Sequence, residues 1–125
     1  MATFEEKILK GKKIHSIRTD KTKRWKAGMS IQFWRGNPRN RGSYFGHKFP
    51  GDPPGCVSVQ EILIQREGEI PDPFITVGGR ILFFDQMREL IGNDGLTPTE
   101  FMDWFLPPGV DEYKGRLIHW TDKTY

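Results

Sequence analysis

The sequence predicts an α+β domain in which a barrel-like mixed sheet of five or six strands is flanked by two or three short helices. Three observations carry that prediction. Apolar residues recur mainly at the two-residue spacing of half-buried strands. The 14 glycines and 9 prolines cut the chain into short segments, which suits strands joined by turns better than long helices. Stretches with helical spacing are few, whereas a doubly wound α/β fold needs a helix between successive strands. At 125 residues the chain matches one domain, residues 1–125, able to bury a sizeable core. No internal repeat or heptad pattern is visible.

From the N-terminus, "FEEKILKG" reads as a short helix with Phe4, Ile8 and Leu9 on one side, stopped by Gly11. "KIHSIRT" follows as a strand, its Ile14 and Ile17 set between a glycine and a polar turn. After a turn at Lys26 to Gly28, Met29, Ile31 and Phe33 alternate with Ser30, Gln32 and Trp34, so a strand is expected over Met29 to Arg35. Gly36 to Gly55 is dense in Gly, Pro and Asn and reads as a long loop, a length usually tied to function or mobility. "CVSVQEILIQRE" is a long strand, and "FITVGGRILFF" a strand pair about Gly78 and Gly79, which supply the positive φ of a tight hairpin turn. "DQMRELIGNDG" predicts a helix with Met87, Leu90 and Ile91 inward. In "LTPTEFMDWF" the start is written residue by residue: Thr97 as cap, Pro98 first in the helix, Glu100 reaching back, and Leu96 and Phe101 as the staple. "GRLIHWTDKTY" closes the chain as a last strand.

Aromatic residues make up 13% of the chain, enough to fill a core and incompatible with a disordered polymer. No apolar run approaches the roughly 18–20 residues of a membrane span, and Met1 to Lys13 lacks the apolar centre of a signal peptide. A soluble, cytoplasmic protein without a membrane partner is therefore expected. The single cysteine, Cys56, excludes an internal disulfide and a multi-cysteine zinc site.

Charge is distributed unevenly. Residues 1–48 hold thirteen Lys or Arg against three Asp or Glu, and residues 49–125 six against thirteen. Such a split suggests a polyanion on the first half, because phosphate contacts supply most of the sequence-independent affinity for nucleic acid. The competing reading is that the halves interleave and pair their charges on the surface. In the 36–55 loop Arg39, Arg41 and Lys48 alternate with Tyr44, Phe45 and Phe49, a mixture that suits a single strand or an extruded base. A surface insertion whose rings cover a sheet edge would have the same composition.

Signatures for phosphate loops, zinc proteases and nucleophile elbows are absent, and His15, His47 and His119 have no ligand spacing, so neither metal nor cofactor is expected. His15 and His119 fall on apolar strands and read as core or rim residues, and Cys56 as a buried small hydrophobe. What remains for chemistry is Lys13 and Ser16, with Asp94 from the second half. A serine hydroxyl needs a proton acceptor, and a lysine amine serves if burial or nearby cations lower its pKa; Lys12 and Arg18 are such cations. Residues three apart on a strand point to opposite faces, so Lys13 must precede the strand to meet Ser16.

The segments "GKKIHSIRTD", "RWKAGMSIQFW", "CVSVQEI", "NDGLTPTEFMDWF" and "GRLIHWTD" occur in that order over nearly the whole chain. Together they resemble the ASCH domain, the activating-signal-cointegrator homology branch of the PUA-like superfamily, in its short stand-alone phage and bacterial form. The resemblance implies a PUA-like β pseudo-barrel with flanking helices, and a cleft that recognises RNA or a modified nucleobase. One bacterial branch is an amidohydrolase that removes acetyl from acetylated cytidine, and its "G-x-K-x-x-T-I-R" segment falls on Gly11, Lys13, Ser16, Ile17 and Arg18. Ser16 then stands for the catalytic threonine and Asp94 for the catalytic glutamate, one methylene or roughly 1.5 Å shorter. The leading expectation is RNA or modified-nucleoside binding through Lys12, Lys13, Arg18, Arg24, Lys26, Arg39 and Arg41, with Trp34 or Tyr44 as stacking surface. The alternatives are the amidohydrolase, with Lys13, Ser16 and Asp94 catalytic, and a protein-interaction module.

Overall fold

The computed structural model describes residues 3–20, 22–35, 43–49, 51, 53–68 and 72–125, with backbone alone for residues 34, 35 and 43. Helix α1 (Phe4–Leu9) is capped by the Thr3 hydroxyl, which accepts from Glu6 N at 3.2 Å. Strand β1 (His15–Arg18) follows, then β2 (Trp34–Arg35) and β3 (Ser43–Tyr44), a 3-10 turn over Gly46–Lys48, and β4 (Ser58–Gln65). The hairpin β5 (Phe74–Val77) and β6 (Arg80–Ile81) leads into α2 (Phe84–Asn93), α3 (Pro98–Phe105) and β7 (Glu112–His119). None of the described helices is long and apolar enough to cross a membrane.

The main sheet has the order β1-β7-β4-β5-β6, and every neighbouring pair is antiparallel. The class is thus α+β, but the sheet is antiparallel rather than mixed and open rather than closed, with β1 and β6 at its edges. Its centre is the β4–β7 pair, eight residues each, running from Ser58 opposite His119 to Gln65 opposite Glu112. Ile62 and Ile64 of β4, Ile75 and Val77 of β5 and Leu117 of β7 bury one face. Met87, Leu90 and Ile91 of α2, and Phe101 and Phe105 of α3, cover it, the inward sides that the helical spacing assigned.

A second, smaller cluster of Phe33, Phe45 and Trp120 gathers Ile8 and Leu9 of α1 with Ile31 and Phe49. It fixes the segment expected to be a strand over Met29 to Arg35, of which only Trp34–Arg35 joins a ladder. Gly28 N donates to Cys56 O and Cys56 N to Met29 O, both at 2.7 Å. The start of the segment is thereby bound to residue 56, and Phe33, whose carbonyl accepts from Phe45 N at 2.8 Å, is buried in the aromatic cluster. The hairpin also ends early, at Ile81, because Gln86 Oε1 takes the Phe83 N–H at 3.3 Å and starts α2. Along β4 the inward face turns polar towards its beginning: Ser58 and Gln60 share the side of Ile62 and Ile64, while Val57 is exposed. The main core and the aromatic cluster meet beside β1, and the cleft lies along that seam.

Candidate functional site

Lys13 sits in the turn between α1 and β1, where the backbone N–H groups of Lys12 and Lys13 both donate to Lys7 O, at 2.8 and 3.0 Å. The turn brings its side chain inward, and its stem lies on Gly95. A Cβ at Gly95 would stand 3.2 Å from Cβ and Cδ of Lys13, and the residue holds φ of +83°, so glycine is required twice over. At the far end Lys13 Nζ donates to His15 O at 2.8 Å, Asp94 O at 2.7 Å and Asp94 Oδ1 at 3.1 Å. These are the three donors of an ammonium.

Asp94 caps the C-terminus of α2, its N–H donating to Leu90 O at 3.0 Å. Its Oδ1 also meets His15 Nδ1 at 3.1 Å. On the other side of that ring Nε2 meets Tyr125 Oη at 2.9 Å, and Asn93 Nδ2 donates to the same phenol at 2.8 Å. With Asn93 supplying the phenol's acceptor bond, Tyr125 donates to His15 Nε2 and His15 Nδ1–H donates to Asp94. Burial, opposed by Asp94 and helped by Arg18 and Lys7, holds the Lys13 amine below the usual lysine range. Its three acceptors match the three N–H groups of the ammonium.

Two lobes of one cleft share Phe4, Lys13, Ser16 and Arg18. The first, about 110 Å³, adds Asp94, Leu96, Trp104 and Phe105; the second, about 140 Å³, adds Gln32, Phe33, Phe45 and Trp120. Lys13, Ser16 and Asp94 thus converge on the first lobe, Lys13 from the turn and Ser16 from the half-buried side of β1. Two of the rings that line this lobe are exposed, Phe4 at 44% and Trp104 at 72%. Phe4 also covers the lysine, with Nζ 4.7 Å from its ring centre, a cation–π distance.

No protein-family model, curated protein or solved structure matches this chain.

Among the other residues read from the sequence, Arg18 is exposed and lines both lobes. It also lines an open cavity of about 510 Å³ formed with Thr19, Asp20, Thr22, Arg24 and Trp25. Arg24 lies there, its guanidinium 5.5 Å from the Trp25 ring. Lys12 and Lys26 are exposed and line none of these cavities. Tyr44 is 40% exposed beside His47 and outside both lobes, while Trp34 pairs its backbone with Tyr44. Arg39 and Arg41 lie outside the described residues. The rings at the cleft are therefore Phe4 and Trp104. The sequence did not mark Trp104: Phe101, Trp104 and Phe105 have the i, i+3, i+4 spacing of one apolar stripe, yet the tryptophan is exposed while the two phenylalanines are buried.

Proposed function

We propose that this protein binds RNA or a modified nucleoside, with one base held in the cleft beside Lys13. One observation supports this above the others: a single concavity is lined by two cations, a hydroxyl and a carboxylate (Lys13, Arg18, Ser16, Asp94) together with two exposed rings, Phe4 and Trp104. A base needs a flat apolar surface and hydrogen-bonding partners at its edge, and its phosphate needs a cation. The ASCH resemblance of the Lys13 to Arg18 segment and the basic first half point the same way, and a PUA-like ancestry accommodates the cleft without a closed barrel. Titration of single-stranded RNA against salt tests the reading. Affinity is expected to fall linearly on a log–log scale, with Arg18→Ala and Trp104→Ala each weakening binding about tenfold or more. Absence of binding at low salt, of this RNA and of a nucleoside alike, would remove the proposal and favour a protein partner for the charged halves.

A second reading, hydrolysis of acetylated cytidine, is favoured by the 3.1 Å contact between Lys13 Nζ and Asp94 Oδ1 in the cavity that Ser16 lines. In it Lys13 as the amine takes a proton from Ser16 or water, the oxygen adds to the acetyl carbonyl, and the C–N bond breaks as the proton passes to the leaving amine; where Ser16 supplies the oxygen, water then hydrolyses the acetyl-serine ester and restores the hydroxyl. Acetate and cytidine are the products. The reaction requires Lys13 to release one of its three acceptors, so activity should rise with pH as the amine form is populated. Lys13→Ala is expected to abolish acetate release, and no release from the wild type at high protein concentration would exclude this chemistry.

A further inference from the structure

We infer that the ligand is a strand rather than a free nucleoside, and that Thr19, Thr22, Arg24 and Trp25 hold the nucleotide next to the one in the cleft. This rests on the proposed binding of a base beside Lys13 and names what else the site takes. Arg18 is the link, because it lines both lobes of the cleft and also the larger open cavity of the loop. A phosphate at Arg18 therefore has a base site on one side and, on the other, a cavity with a second guanidinium and a second ring, Arg24 and Trp25.

The loop is built to leave that pair facing outward. Asp20 is the carboxylate nearest them in sequence, yet its oxygens are taken by Arg24 N at 2.9 Å, Trp25 N at 3.1 Å and Arg116 Nη1 at 2.8 Å. Arg116 also donates to Trp25 O at 3.0 Å, which ties the loop to β7. Arg18 and Arg24 form no ion pair among the described residues. Thr19 and Thr22 add hydroxyls to the same wall. A cation beside a ring, with hydroxyl donors around them, is the composition that tracks a backbone and stacks its base. A free nucleoside occupies the cleft alone and leaves all of this unused.

The test compares cytidine, a short single-stranded RNA and the same RNA as a duplex on wild type, Arg24→Ala, Trp25→Leu and Trp104→Ala. Single-stranded RNA is expected to bind at least about tenfold tighter than cytidine or duplex. Arg24→Ala and Trp25→Leu should weaken RNA roughly five- to a hundredfold and leave cytidine within about twofold, whereas Trp104→Ala should weaken both. Equal affinity for cytidine and RNA, or loop variants without effect on RNA, would overturn the loop subsite and leave the cleft reading standing. Binding of neither probe would overturn both. Trp25 is half-buried, so Arg24→Ala, at an exposed position, keeps the result independent of folding.

Discussion

The lysine at the cleft is held by a glycine as much as by its ion pair. Gly95→Ala forces a side chain into a left-handed conformation and against the Lys13 stem, 3.2 Å away. A cost of about 1–3 kcal/mol is expected, together with loss of ligand binding as the amine is displaced. Three positions earlier, Gly92 lies within α2 with open space where a Cβ would go, so Gly92→Ala should be neutral or stabilising by up to about 1 kcal/mol. Urea unfolding of the two variants checks the opposite signs. The turn before β1 and the end of α2 were legible, because both are marked locally. The meeting of Lys13 with Asp94, 81 positions apart, and the network of His15, Tyr125 and Asn93 around it were not, because no local pattern encodes contacts between distant parts of the chain. His15 and His119, read as core or rim residues, are both buried, and His15 in addition holds Asp94.

At the level of elements, β1, β7 and β4 bring His15, His119 and Ser58 into one row, the two imidazoles edge to face at 5.5 Å. His119 Nε2 donates to Gln60 Oε1 at 2.9 Å, since Gln60 Nε2 is already donating to Tyr125 O. The bare Nδ1 is buried without a partner among the described residues. Protonating it would bury a second N–H with nowhere to go. Burial, with His15 nearby, accordingly pushes the His119 pKa down to about 4. In the unfolded chain the ring binds its proton near its ordinary 6.5, so between these values the unfolded state holds more protons. Stability should fall as pH drops from 6.5 towards 4, by on the order of 2 kcal/mol, and no further from this group below that. Urea titrations across that range should show a shallower acid limb in His119→Gln, and an unchanged limb would refute the assignment. Helix ends were legible because capping is local: Thr97 Oγ1 accepts from Glu100 N at 3.2 Å and Glu100 Oε1 from Thr97 N at 2.9 Å. The 29–35 segment was not, because alternation reports which side chains turn inward and says nothing of a pairing partner.

At the scale of the whole molecule, among the ion pairs of the described residues Lys13 with Asp94 joins a lysine of residues 1–48 to a carboxylate of residues 49–125, and Lys48 pairs with Glu5 inside the first half. Sheet closure was not legible in the sequence, since whether edge strands join depends on twist and length rather than on side-chain pattern. The pairing of Asp20 with Arg116 runs against the general polarity, an acid from the basic half and a base from the acidic one, at 2.8 Å and little exposed. Burial disfavours the Asp20 charge, but the Trp25 N–H, Arg116 and the Arg24 N–H outweigh it and pull the carboxyl below its usual value. The latch therefore persists into acid and is lost only as pH falls through that lowered value. Arg116→Met should raise hydrogen exchange at the Arg24 and Trp25 amides on the order of tenfold, because Asp20 is freed from the sheet. Asp20→Asn separates geometry from charge. It removes a negative charge from a basic loop, so a purely electrostatic loop gains affinity for single-stranded RNA. If the loop acts by its shape, loss of the charged acceptor for Arg24 N, Trp25 N and Arg116 misplaces Arg24 and Trp25, and affinity falls despite the more favourable charge. Three hydrogen bonds to one carboxylate fix the loop's geometry, whereas a single surface charge is screened by salt. Weaker binding by Asp20→Asn is the expected result, and tighter binding would reduce the loop to a diffuse patch of charge.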